Sequence, residues 1–354
     1  SYFDLVLHPY EEDGVDFWWI DWQQGRKSNR QGLDPLWLLN HYHTLDAGRD
    51  GRTPLILSRY AGCGSHRYPL GFSGDTIVRW KSLAYQPYFT LAASNTGYSW
   101  SHDIGGHMGS KGNPELYTRW VQLGVFSPIN RLHSTRDKWS KEPWLYGTEA
   151  EKIVTKFLQL RHRLLPYLYT ANVRTAREGL PIVMPMYYLH DCKEAYEAKT
   201  QYYFGTEMIV APVVTRQNKE GLAPVSVWLP EGKWTDFFTG QVFEGNHTYE
   251  LFVPLDRIPV FVKEGGIVPL LADYRNNDQE FRSLEVCLYA GNGKYRLEDE
   301  AGGIDFSMQK TEDGIEIFVT KEETCPTEKL AIRVIGASDT VYHVHGNMEY
   351  SIQI

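Results

Sequence analysis

Several things that would tie this chain to a nucleic acid, a membrane or a redox partner are missing. Basic residues are the minority, with 36 Lys+Arg against 44 Asp+Glu and a net charge of −8, and no basic block interrupts the sequence. That excludes the electrostatic footprint of a nucleic-acid binder. No apolar run approaches the ~18 residues that suggest a membrane-spanning helix. The four cysteines, Cys63, Cys192, Cys287 and Cys325, are scattered without CxxC spacing, as expected of a reduced chain. Internal repeats and low-complexity tracts are absent. The chain opens at Ser1 without Met or leader, and Phe3–Leu7 starts inside structure. A targeting signal would therefore lie upstream, and localisation stays open with the cytoplasm favoured. Asn246-His247-Thr248 fits a glycosylation sequon, a pattern short enough to arise by chance.

What the chain has is aromatic residues, 14% of the total with 11 Trp and 23 Tyr, and enough length for two or three domains. From residue 15 to about 180, apolar runs alternate with helical patterns, the signature of βα units. Strands are expected at 16–21, 54–59, 69–73, 97–102 and 125–130. Helices are expected at 35–46, 77–94 and 113–123, with a long one at 149–178. Thr148 and Glu151 read as its capping box, Gly179 as its stop, and Pro166 as a kink. After about residue 185, short β-rich runs punctuated by Gly and Pro read as an antiparallel sandwich. A further strand-like region starts near 273. The expected domains are residues 1–185, 186–272 and 273–354. The fold class is α/β, a (β/α)8 TIM barrel followed by C-terminal β-sandwich domains. Only five barrel strands are visible where a closed barrel needs eight. The favoured reading is that three strands precede Ser1, so that only strands 4–8 are present; the alternative is an open α/β layer. On the favoured reading the chain alone is expected to be inactive, poorly soluble or assembled with a complementary piece.

Two aspartates carry the chemistry. Asp21 closes Asp16-Phe17-Trp18-Trp19-Ile20 and Asp75 closes Gly71-Phe72-Ser73-Gly74, each a strand-like aromatic run. Both carboxylates should stand at strand C-terminal ends, where barrels keep their chemistry. A pair of carboxylates facing each other is the equipment for breaking a glycosidic bond, and nearby tryptophans suit sugar ring faces. The bland alternative for Asp75 is an N-cap of the following helix.

These residues resemble glycoside hydrolase family 31. Trp18-Trp19-Ile20-Asp21 is similar to its nucleophile strand. Ser58-Arg59-Tyr60-Ala61-Gly62 with Phe72-Ser73-Gly74-Asp75 resembles its acid/base segment. His102-Asp103-Ile104-Gly105-Gly106, Asn130-Arg131-Leu132-His133 and Leu164-Leu165-Pro166-Tyr167 follow in family order. Phe204-Gly205, Gly232-Lys233-Trp234 and Pro254-Leu255-Asp256-Arg257 resemble the domain after the barrel. The resemblance implies a retaining exo-acting α-glycosidase, with Asp21 as nucleophile and Asp75 as acid/base. Arg59 would pair with Asp21 and keep it ionised. The aromatic setting of Phe72 and Trp80, with the Asp21 charge, would keep Asp75 protonated. Arg59, His133, Trp19, Asp103, Phe72 and Trp22 are the expected sugar-binding residues. Strand alternation favours Trp19 over Trp22, since Trp19 shares a face with Asp21. Structural readings stand beside these: a salt bridge for Arg59, a buried imidazole for His133, a tight turn for Asp103.

Asp21-Trp22-Gln23-Gln24 replaces the family's usual Asp-Met-Asn-Glu, and Phe72 stands where it has Trp. The first variant resembles that of the α-N-acetylgalactosaminidase branch, so the resemblance leans towards an α-N-acetylgalactosaminidase, with α-glucosidase or α-xylosidase as alternatives. Transglycosylation or elimination on the same scaffold is a further alternative, and a noncatalytic carbohydrate-binding protein is the reading from another class. The partner is a carbohydrate substrate, with no nucleic acid and no membrane; the oligomeric state is open. No cofactor is expected. His41, His43, His66, His102 and His107 lack ligand spacing, so no metal is expected either.

Overall fold

Four short strands form a parallel sheet whose C-terminal ends all point the same way in the computed structural model. It describes every residue except 1, 22–24, 26, 60–63, 69, 276–279 and 346–348, and all side chains of those described except Asp137 and His345. The strands are β1 (Trp18–Ile20), β2 (Ile56–Arg59), β3 (Leu70–Phe72) and β4 (Ser99–Ser101), hydrogen-bonded in that order. Trp18 pairs with Ile56, Leu57 with Leu70, and Leu70 with Ser99. A π-helical segment at Phe3–Leu7 runs into helix α1 (His8–Glu12) ahead of β1, whose Trp18 indole donates to Glu11. Parallel strands need crossovers. Helix α2 (Pro35–Ala47) makes the first and α3 (Trp80–Ser94) the last. Asp34 caps α2 by accepting from the Leu36 N–H at 2.8 Å, with Pro35 at the first helical position. In α4 (Pro114–Val125), Asn113 and Pro114 repeat the device.

Three expectations need correction. Residues 125–130 form no strand: α4 runs to Val125, and Arg161 then binds the carbonyls of Val125, Ser127 and Pro128 at 2.6–2.8 Å. One guanidinium gathering three carbonyls bends the backbone into turns. The chain regains the sheet direction only at a single parallel bridge between Ile104 and Leu132. The long helix is two, α5 (Thr148–Arg163) and α6 (Leu165–Glu178), separated at Leu164, whose ψ is near 0°. Pro166 has no N–H to continue the ladder, so the kink becomes a break. Thr148 is the first helical residue, with Gly147 as N-cap and no side-chain capping bond. Gly179, at φ +74°, does terminate α6.

Beyond α6, β5 (Val183–Pro185), helix α7 (Lys193–Glu197), β6 (Tyr202–Phe204), β7 (Met208–Val210), β8 (Leu222–Leu229), β9 (Lys233–Asp236), β10 (Val242–Glu244), β11 (His247–Pro254) and β12 (Val260–Lys263) follow. Six of the strands make a sheet in the order β10-β9-β12-β7-β6-β5, while β8 and β11 pair as a ribbon. The distal part holds β13 (Ile267–Leu271), β14 (Ser283–Tyr289), β15 (Gly293–Glu298), β16 (Gly303–Thr311), β17 (Gly314–Lys321), β18 (Lys329–Ile335), β19 (Val341–His345) and β20 (Glu349–Gln353). They form two four-stranded sheets that share one apolar core, with Val286 and Ile332 from one and Phe306 and Ile317 from the other.

The largest core crosses from helices to sheet. Trp120, Phe157 and Tyr167 of α4, α5 and α6 pack in one cluster with Phe204, Met208 and Val260. Arg119, 1% exposed, is the polar tie across this junction: it donates to the carbonyls of Val253, Pro254 and Arg257 at 2.6–3.1 Å. Replacing it by Met takes the donor away from three backbone carbonyls at once. Arg119→Met is expected to cost about 3 kcal/mol, seen as a Tm lowered by several degrees; an unchanged Tm would show the tie to be dispensable.

Candidate active site

Because the four strands are parallel, the residues leaving their C-terminal ends meet on one rim. Asp21 follows β1, Arg59 ends β2, Ser73–Asp75 follow β3, and His102–Asp103 follow β4. Arg59 joins the first three. Its Nε donates to Asp21 Oδ1 at 2.7 Å, and its Nη2 lies 2.7 Å from the same oxygen and 3.0 Å from Asp75 Oδ1. Burial works against the guanidinium's charge, but the hydrogen bonds and charges of the two aspartates outweigh it and raise its pKa. Gly74 permits the approach: it sits at φ +80°, and a Cβ there would lie 2.4 Å from Arg59 Nη1.

Asp75 does not cap α3. That helix begins after Arg79, with no side-chain capping bond. Nor does Trp80 face the carboxylate; it packs against the main core beneath Arg216. Asp75 is part-exposed and held by an arginine, a more polar seat than the sequence suggested.

A second layer supports the first. Asp103, 1% exposed, accepts from Arg131 Nη2 at 2.7 Å and from the Thr76 N–H at 3.2 Å. It therefore ties the loop after β4 to the loop bearing Asp75. Its carbonyl also accepts from the Gly106 N–H, so the tight turn is present as well. Burial pushes the Asp103 carboxyl up to about 7 against the opposing charge of Arg131. Neighbouring His102 is fully buried. The Trp120 indole donates to its Nδ1 at 3.0 Å, which assigns the remaining proton to Nε2, facing Ser127 Oγ at 3.1 Å.

The aromatic residues line the same rim. Trp19 is 48% exposed, its ring 6.2 Å from Phe72 and edge-on to His133 at 5.6 Å. Phe72 is buried beneath both guanidinium groups, with Arg131 4.9 Å and Arg59 5.6 Å above its ring. Trp22 lies outside the described residues, as do Gln23 and Gln24.

Sequence reasoning underrated two residues. Arg131 was only part of a motif, yet it holds Asp103; its place two residues before His133 was the available signal. His107 was weighed only as a metal ligand, yet its Nε2 stands 3.7 Å from Asp75 Oδ1. Of the histidines considered for a metal, His41 and His66 are exposed, and His102 is committed to Trp120 and Ser127. Among the described residues, Asp103, His107 and His133 bring donor atoms within 4.8 Å of one another. Arg131, already on Asp103, competes with any ion there.

His133 sits among these cations. Burial, then Arg131 and His107, push its imidazole down to about 4. Between about pH 4 and the ordinary 6.5 the unfolded chain takes up a proton that the folded one refuses. This contribution to stability is thus present above pH 6.5 and lost as pH falls to about 4. Imidazole NMR should show His133 titrating near 4; a midpoint near 6.5 would refute that environment.

Known proteins share this architecture. The family profile described as Glycosyl hydrolases family 31 TIM-barrel domain matches residues 2–171, and the Glycosyl hydrolase family 31 C-terminal domain matches residues 179–268. The chain is 34% identical over 268 residues to an alpha-xylosidase of Saccharolobus solfataricus, covering 72% of this chain and 35% of that protein. It is 28% identical to alpha-glucosidase 2 of Bacillus thermoamyloliquefaciens, covering 86% of this chain and 40% of the relative. Among solved structures, a Flavobacterium johnsoniae GH31 dextranase complexed with glucose matches with TM-score 0.79 at 27% identity, over 92% of this chain and 46% of that one. The chain thus spans less than half the length of these relatives. With both domain profiles matching in order and the strand-end carboxylates on one rim, the chain belongs to glycoside hydrolase family 31.

Proposed function

We propose that this chain carries the catalytic carboxylates of a retaining exo-acting α-glycosidase, with Asp21 as nucleophile and Asp75 as acid/base. One observation carries the reading. Legs of 2.7 and 3.0 Å meeting at Arg59 Nη2 keep the two aspartate oxygens within about 6 Å of each other. That suits the ~5–5.5 Å separation of retaining enzymes rather than the ~6.5–9.5 Å that admits a water in inverting ones. Asp21, ion-paired with Arg59, attacks the anomeric carbon while Asp75 protonates the departing oxygen. Asp75 then takes a proton from the water that releases the sugar. Trp19, exposed beside the pair, offers a platform for a ring face, and His133 a polar edge beside it.

The relatives are named for α-glucosides, α-xylosides and dextran. Asp21-Trp22-Gln23-Gln24 favours an α-N-acetylgalactosaminide instead. Aryl α-glycosides of all three monosaccharides, tested on the protein at its natural full length, separate the two readings. We expect the N-acetylgalactosaminide to be cleaved with retention of configuration, and Asp21→Asn to lower kcat by at least about a thousandfold. Cleavage of the glucoside or xyloside alone would make the motif neutral drift. Sugar binding without turnover, unaltered in Asp21→Asn, would make the protein a binder.

A further inference from the structure

Helix α3 turns an aromatic face to the outside. Tyr85, Tyr88 and Phe89 are 38–55% exposed, and Lys81 is the helix's one charged residue. A surface helix ordinarily presents charged and polar side chains there. Opposite the C-terminal half of α3 lies the segment after β5. In it Tyr187 and Tyr196 stack, with ring centroids 5.1 Å apart and planes 5° apart, and Asn95 Nδ2 donates to the Tyr187 hydroxyl at 2.8 Å. Between the two segments opens a cavity of about 230 Å³, lined among others by Tyr88, Leu91, Asn95, Met186, Tyr187 and Tyr196. Tyr196 is 55% exposed although Tyr187 covers one side of its ring, so the other side is open to a ligand.

This cavity is separate from the rim. Helix α3 begins just after the loop bearing Asp75 and runs 15 residues, which carries its end ~22 Å towards the other side of the sheet. We propose that the cavity is a second, noncatalytic carbohydrate site that seats one pyranose ring of an oligosaccharide. The lining carries the assignment. A pyranose has apolar C–H faces and a belt of hydroxyls, so it fits flat rings with polar groups at their edges. Tyr88, Tyr187 and Tyr196 supply both. The Asn95 amide has two N–H donors, and Tyr187 takes one, which leaves the other for a sugar hydroxyl. The same contacts make the site rigid: Tyr196 holds the Tyr187 ring by its face and Asn95 holds it by its hydroxyl. Little ordering is then left to oppose binding. The volume decides against a macromolecule, because it is below the roughly 300–1,000 Å³ of pockets for drug-sized ligands and admits a ring rather than a helix. A glycan held here by one residue keeps its chain ends near the rim at a raised effective concentration. The gain falls on chains and not on single sugars.

The test runs the natural full-length protein, carrying Asp21→Asn, through native gels containing dextran, soluble starch or desialylated mucin. At least one glycan should retard it, and Tyr196→Ala or Tyr88→Ala should raise the apparent Kd about tenfold. Tyr196→Phe keeps the ring and should retain most of the binding. Tyr88 lies on a different segment, so its variant keeps the test valid if Tyr196→Ala does not fold. With Asp21 restored, Tyr196→Ala should raise KM for the retarding glycan severalfold and leave kcat/KM for an aryl monosaccharide glycoside unchanged. No retardation by any glycan, retardation untouched by both alanine variants, or an equal kinetic loss on both substrates would overturn the proposal. So would a dimer that Tyr196→Ala dissociates in sedimentation, since the face would then belong to a second copy. Absence of aryl glycoside turnover strikes the catalytic assignment of Asp21 and Asp75 instead, and leaves the gel result to decide this one.

Discussion

A single guanidinium shared by two carboxylates is the constraint around which the rim is arranged. Two aspartates at strand ends on either side of β2 repel, and the repulsion grows as the site sheds water. The sheet order supplies the remedy. β2 lies between β1 and β3, with strands ~4.8 Å apart, so an arginine ending β2 reaches one carboxylate on each side. The glycine at 74 follows from this, because the turn after β3 must pass the guanidinium without a Cβ in the way.

The rest of the site is a set of loops tied to one another. Asp103 binds Arg131 from the last loop and the Thr76 N–H from the loop bearing Asp75. Backbone bonds from His107 to Thr76 and from Thr135 to His107 add two further ties. Each loop is thus anchored to at least one other, and the positions of Asp75, His107 and His133 are not independent. Phe72 and Trp19 give both arginines aromatic faces to lie on, which lets two cations sit close in a partly dry cleft.

Behind the rim, buried arginines perform the same service for the fold. Arg161 gathers the carbonyls after α4, and Arg119 gathers those before β12. Both join segments distant in sequence, and each collects three backbone carbonyls at once. Their multidentate donors suit irregular backbone better than a lysine would.

The alternation of apolar runs with helical patterns was enough to read the parallel layer, its helices and the β-rich remainder, because periodicity records which face is buried. Asp21, Arg59 and Asp75 were legible for the same reason: each closes a strand, and parallel strands bring their C-terminal ends together. Local signals misled where a distant side chain intervened. Residues 125–130 look like a strand until Arg161, over thirty residues on, takes their carbonyls. Asp75 looks like a helix cap or an acid in an apolar seat until Arg59 arrives from another strand. His107 carried no readable role, since its neighbours Asp75 and Asp103 come from separate loops. Sequence alone thus determined the elements and the carboxylates they present, which depend on local hydrophobic pattern. Tertiary structure decided which charges meet, because that depends on strand order and loop closure, which no local pattern encodes.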